Sequence, residues 1–267
     1  VDDGQTVDEL QRGIIDYYAQ KYGVAIDAFD RYLNATPGHD DTAHYYKGLA
    51  LRALGEYDAA IEEWQIQVDD HPAETYYVDA LEDIAYTRWA YQDMYEEGAQ
   101  VLLDFANNNP NAPQAADLLY QAARILERDN QLESAGETWE YILDLNPAYE
   151  NSYRALTLAG ISFYRAENYS RALTDFQRLS VLAITPDERA AAYLWIGKTQ
   201  TALNLPEEAH NSWQTAAQSD PTGYYSERAY ELMDGKSPFS IDGPYDLNID
   251  MEEDKKLAEA WMRITFS

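Results

Sequence analysis

The stretch GHDDTAH, Gly38 to His44, sets two histidines and two aspartates within seven residues, and donors at that density could hold a metal ion. The competing reading is a loop between repeats, in which Pro37-Gly38 turns the chain and Asp40 or Asp41 caps the next helix. DLNIDMEEDKKL begins like a calcium loop, with Asp246, Asn248 and Asp250 alternating. However, Met251 stands where the turn needs glycine and Leu257 where a bidentate glutamate is required. It reads instead as an acidic linker entering a helix. Glu133-Ser134 joins a carboxylate to a hydroxyl, and the start of a helix accounts for the pair. The sequence has no Ser/His/Asp or Cys/His set, no glycine loop for phosphate and no HExxH, so it offers no catalytic centre and no cofactor or metal is expected.

Whatever binds must therefore be held by the scaffold. Among 267 residues, 19 Lys and Arg face 48 Asp and Glu, giving a formal charge of -29. Such a charge repels nucleic acid and anionic membranes. Cysteine is absent, which removes disulfides and thiolate ligands and leaves the redox compartment open. No apolar run reaches the eighteen or so residues a membrane helix needs. The start, VDDGQTVDEL, has neither a basic nor an apolar leader region, and the expectation is that an export signal or anchor has been removed upstream. Abundant Ala, Leu, Glu and Gln with sparse Gly and Pro predict an all-α protein.

The order in these helices is a repeat. Ala, then an aromatic or Leu four residues on, then Pro, recurs as Ala25/Phe29/Pro37, Ala60/Trp64/Pro72, Ala135/Trp139/Pro147 and Ala209/Trp213/Pro221. Weaker copies stand at Gly98/Leu102/Pro110 and Ala172/Phe176/Pro186. The anchors lie 35 to 38 residues apart, and the pattern resembles the 34-residue tetratricopeptide repeat. It predicts about six helical hairpins stacked into a right-handed superhelical solenoid with a concave groove. Gly48, Gly160 and Gly197 mark close helix approach, with Ala123 in that place in the fourth unit, and Gly55 ends a helix. Thr185-Pro186-Asp187-Glu188 spells a helix start. Trp64, Trp139 and Trp213 are assigned to the core, whereas Trp89, Trp195 and Trp261 are left open.

In tetratricopeptide units the concave face is lined by positions 2, 5, 9, 12 and 13. Projected on five units, omitting the third because LEDIAYTRWAYQDMYEEGAQ carries a one-residue insertion, these positions collect Arg52, Arg124, Arg128, Arg154, Arg165 and Lys198 against Asp117 and Glu127. At the chain's average composition about two basic and more than four acidic residues would fall there, so the groove reverses the overall sign. Tyr17, Tyr18, Tyr45, Tyr120 and Tyr164 join them. Arginine beside aromatic rings suits carboxylates, carbonyl-rich peptides and sugars. The alternative is that these cations pair internally with acids of neighbouring repeats.

Beyond Pro221, TGYYSERAYELMDG predicts one more helix ended by Gly235, with Tyr225, Ala229 and Leu232 covering the last hairpin and Glu227 and Glu231 facing water. Tyr224, Tyr225, Arg228, Ala229 and Leu232 resemble the segment that closes the superhelical N-terminal region of soluble lytic murein transglycosylases. SPFSIDGPYDLNIDMEEDKKLAEAWMRITF is similar to the passage toward their catalytic domain. Glu227 departs from the apolar residue expected there, and the family's Gly-Leu-Met-Gln run is absent. The resemblance implies a solenoid with its capping helix over 1–235 and a linker with a terminal helix over 236–267, leading to a catalytic domain expected after Ser267. It also implies that this chain is not itself an enzyme and that it lies in the extracytoplasmic cell envelope, periplasmic or lipid-anchored. There it would help position peptidoglycan, muropeptides or envelope proteins. The alternative is a stand-alone adaptor for protein partners in the envelope.

Overall fold

Every second helix carries an alanine and, four residues later, a large apolar side chain, which places both on one face where a partner helix must approach. A computed structural model describes residues 7–36, 41–70, 75–238 and 251–265, the side chains of the last stretch only in part. The helices α1 (Glu9–Tyr18) and α2 (Tyr22–Ala35), α3 (Asp41–Leu54) and α4 (Tyr57–Asp70), and α5 (Tyr77–Tyr91) and α6 (Tyr95–Asn108) form three hairpins. Three more are α7 (Ala115–Arg128) with α8 (Leu132–Leu145), α9 (Ser152–Arg165) with α10 (Tyr169–Leu182), and α11 (Pro186–Ala202) with α12 (Pro206–Ser219). Next come α13 (Tyr224–Met233) and α14 (Met251–Thr265), and no strand occurs among the described residues. From α1 to α13 each helix packs on the next in chain order, and α13 also packs on α11. The chain is thus an all-α solenoid.

Ala25, Ala60, Ala135 and Ala172 are completely buried, as are Phe29, Trp64, Trp139 and Phe176. Where the aromatic ring lies flat against the first helix, a glycine takes the contact position. A Cβ added to Gly160 would stand 2.6 Å from Phe176. Gly48 against Trp64, Gly197 against Trp213 and Gly13 against Phe29 repeat the contact. The third unit keeps Gly98 in place of the alanine because α5 runs closer here: a Cβ would lie 2.8 Å from the carbonyl oxygen of Ala85. Trp213, assigned to the core from its spacing, is only half-buried in the last hairpin.

Each hairpin turn needs one residue in the left-handed region. Gly55, at φ 83°, fills it in the second unit, while Gln20, Asp93, Asn130, Glu167 and Asn204 fill it at φ 58–62°. The capping box at α11 is formed as its sequence predicts, Thr185 accepting from the Glu188 N–H at 3.2 Å while Glu188 accepts from the Thr185 N–H at 3.0 Å.

Between α8 and α10 the packing encloses charge. Asp175 is fully buried; one oxygen accepts from Arg178 at 3.4 Å and the other has no hydrogen-bond partner. Burial, then the neighbouring Glu140 carboxylate, push its pKa up to about 7, against the pull of Arg178 and Arg171. The folded chain therefore keeps a proton that the unfolded chain releases near pH 4, so stability falls as pH rises from about 4 to about 7 and is level above. Asp175→Asn should remove that slope. At pH 8 it should unfold with about 4 kcal/mol more free energy than the parent, with little difference near pH 4. A pH-independent difference in urea denaturation would contradict this account.

Candidate functional site

The first helices of the hairpins, α3, α5, α7, α9 and α11, succeed one another along the inner face, so side chains of one reach the rings of a neighbouring one. Tyr45 and Arg52 of α3 both turn to Asp83 of α5, the hydroxyl donating at 3.1 Å and the guanidinium at 2.5 Å. Tyr45 also stacks on Tyr76 at 4.4 Å. Burial, then the Asp83 charge, raise its hydroxyl pKa above the ordinary value. Arg52 also lies over Trp64 at 5.0 Å and Tyr86 at 5.5 Å. This pair is satisfied within the protein.

Arg124 pairs with Glu127 at 2.5 Å, and Ser162 of α9 donates to the other Glu127 oxygen at 3.3 Å. Three other cations have no carboxylate within 4.0 Å among the described residues and rest on aromatic rings instead. Arg128 lies over Trp89 at 4.7 Å, Arg154 over Tyr120 at 6.0 Å, and Lys198 over Trp195 at 3.8 Å and Tyr164 at 5.7 Å. Burial, and then Arg228 nearby, lower the Lys198 pKa. A ring quadrupole attracts a cation without neutralising it, so an anion can still be taken up at each of the three. Behind Arg128 and Tyr120 a cavity of about 230 Å³ opens between α5 and α7, lined also by Glu82, Tyr86, Trp89, Gln121 and Arg124.

Arg165 stands apart from this row. It lines a space shared with the α7–α8 turn and the start of α8, from Asn130 to Ser134. Tyr86 was missed and Trp89 left open in the sequence because the third unit was not projected. Shifting its register by one residue sets Glu82, Tyr86 and Trp89 in line, and α5 is one residue longer than α3 or α7. Trp195, left open in the sequence, is the platform of Lys198, and Trp261 of α14 is exposed.

At the end of the array Ala229 is buried, and Tyr225 and Leu232 pack with it on Leu194, Ala216 and Ala217. The buried Ser226 hydroxyl donates to the Ala216 carbonyl at 2.6 Å and accepts from the Asp220 N–H at 3.2 Å. Tyr224 is exposed, edge-on to Tyr225. Glu227 faces water, whereas Glu231 does not: it is half-buried because Arg228 holds it at 2.6 Å. Of the early metal candidate, Gly38 to Asp40 lie outside the described residues, Asp41 opens α3, and His44 Nδ1 meets Glu63 at 2.6 Å. The calcium-like residues Asp246, Asn248 and Asp250 also lie outside the described residues. No group of three metal-binding side chains occurs among the described ones.

Paired helices, small-to-aromatic contacts and an inner face built by the first helices define a solenoid fold of the tetratricopeptide-repeat type. The tetratricopeptide repeat family model matches residues 10–67 and 157–224. The C-terminal part of a TPR repeat-containing protein from Cytophaga hutchinsonii is similar in structure, with a TM-score of 0.54 and 16% identity over 83% of this chain and 86% of that one. Weaker likenesses include YrrB, a TPR protein with an unusual peptide-binding site (TM-score 0.48, 17% identity, 78% of this chain and 100% of that one). PilW, a type IV pilus biogenesis factor, is another (TM-score 0.44, 15% identity, 83% and 96%). No curated protein matches the sequence. No described helix is long and apolar enough to cross a membrane.

Proposed function

We propose that this chain is a non-catalytic interaction scaffold that holds an acidic, extended segment of a partner protein along its inner face. The observation that carries this reading is the row of Arg128, Arg154 and Lys198, each on an aromatic ring and none neutralised by a carboxylate among the described residues, in a chain of formal charge -29. A cleft whose local sign opposes that of the whole molecule admits anions selectively. Fluorescence anisotropy with paired extended peptides, one carrying Asp and Glu and the other Lys at the same positions, tests it. The acidic peptide should bind and weaken steeply with salt; equal binding of both peptides would refute the proposal.

A second reading is a solenoid of a lytic transglycosylase in the extracytoplasmic envelope, helping to position peptidoglycan. It is supported by α13, where Tyr225, Ala229 and Leu232 close the array. Co-sedimentation with purified peptidoglycan separates the two, since a protein adaptor stays in the supernatant.

A further inference from the structure

The α10–α11 connection breaks the rhythm of the repeat. From aromatic or Leu anchor to proline the other five units take eight residues, whereas Phe176 to Pro186 takes ten. The last turn of α10 carries Val181 and Leu182 and the connection carries Ile184, of which Val181 is 83% and Ile184 92% exposed. Side chains so exposed bury nothing in the fold, and three within four residues make a patch rather than scattered surface carbons. The backbone beneath them is fixed: Ile184 and Thr185 N–H both donate to Glu188, at 2.8 and 3.0 Å. The ridge is presented in one conformation, which reduces the ordering cost of binding.

A pocket lies on each side. One is lined by Leu143, Pro147, Arg178, Val181 and Leu182, the other by Ile184, Pro186, Arg189 and Thr215 among others. Neither lining contains an acidic residue, although at the chain's composition about two or three of their residues would be acidic. Glu188 is occupied by the backbone bonds. Asp187 acts on Tyr153 and Tyr225, toward α9 and α13. Arg189 is exposed and has no carboxylate within 4.0 Å among the described residues.

We infer that the end of α10 and its connection to α11 form a docking ridge for a partner protein, which seats apolar side chains in the two flanking pockets and sets a carboxylate against Arg189. Charge complementarity selects this occupant. An anionic bilayer and a second copy of this chain both meet the repulsion of a formal charge of -29, whereas a short acidic segment meets two pocket linings without an acidic residue and Arg189, which no described carboxylate neutralises.

The test is a phage-displayed peptide library panned on the whole chain, with Val181→Glu/Ile184→Glu as the counter-selected surface. Both positions are exposed, so circular dichroism and melting should match the parent. The expected consensus is a pair of apolar residues beside Asp or Glu, and Arg189→Glu should weaken the enriched peptide at least tenfold. The same peptide should bind undiminished when Arg128, Arg154 and Lys198 are reversed in charge, which separates this surface from the inner face. No enrichment, or a basic consensus, overturns the inference. So does flotation with phosphatidylcholine–phosphatidylglycerol vesicles that the double variant loses, which assigns the ridge to lipid. A concentration-dependent dimer that the double variant abolishes overturns it in favour of self-association.

Discussion

Trp64→Ala should lower the unfolding free energy by about 3–5 kcal/mol and split the urea transition in two. The indole is completely buried, its N–H donates to the Tyr45 carbonyl at 3.1 Å, and Arg52 lies on its face. Removal leaves a cavity at the seam of the second hairpin. In a stacked array each hairpin is stabilised only by its neighbours, so a weakened seam uncouples the hairpins on its N-terminal side from those on its C-terminal side. The early transition should be the N-terminal one, seen as lost amide protection in α1 to α4 while α7 to α11 remain protected. Gly48→Ala attacks the same contact from the other side and should cost about 1–3 kcal/mol by overpacking. In a Trp64→Leu background it should cost less than half as much, because the atoms it collides with are gone. A single unshifted transition in Trp64→Ala would show that the seam does not carry the coupling.

The second large effect belongs to the inner face. Reversing Arg128, Arg154 and Lys198 together to glutamate should weaken an acidic extended peptide by about two to three orders of magnitude, roughly tenfold per cation. The slope of log affinity against log salt should become shallower. All three are held by rings rather than by carboxylates, so the substitutions strand no buried acid and the melting temperature should change little. Reversing Arg52 is a different experiment, because Asp83 would lose its partner at 2.5 Å and stability would fall with it. If the triple variant binds the acidic peptide as the parent does, the inner face is not where the segment lies.

Much of this was legible because a repeat writes its constraints several times over. Ala60 and Trp64 alone are an apolar pair; the same pair near Ala25, Ala135 and Ala172 is a packing rule, and all four alanines are buried. Gly48, Gly160 and Gly197 were recognisable for the same reason. The third unit was not, since its extra residue in α5 shifts the register and hides Tyr86 and Trp89, which line the cavity beside Arg128. A single copy with an insertion offers no internal standard against which to align itself.

Side-chain partners were the other limit. The projection collected Arg52, Arg124, Arg128, Arg154, Arg165 and Lys198 as equivalent cations, and sequence alone left open whether they bind a ligand or pair internally. Both kinds occur: Asp83 and Glu127 take Arg52 and Arg124, Arg165 turns to a neighbouring turn, and three remain on rings. The sequence by itself determined the helices and their pairing, because those arise from periodicity and composition along the chain. Only the tertiary structure decided which charges are spent, since for Arg52, Arg128 and Arg154 that depends on residues about 30 to 40 positions apart meeting across adjacent helices within a few ångströms, a distance over which Coulomb attraction and ring contact change from decisive to negligible.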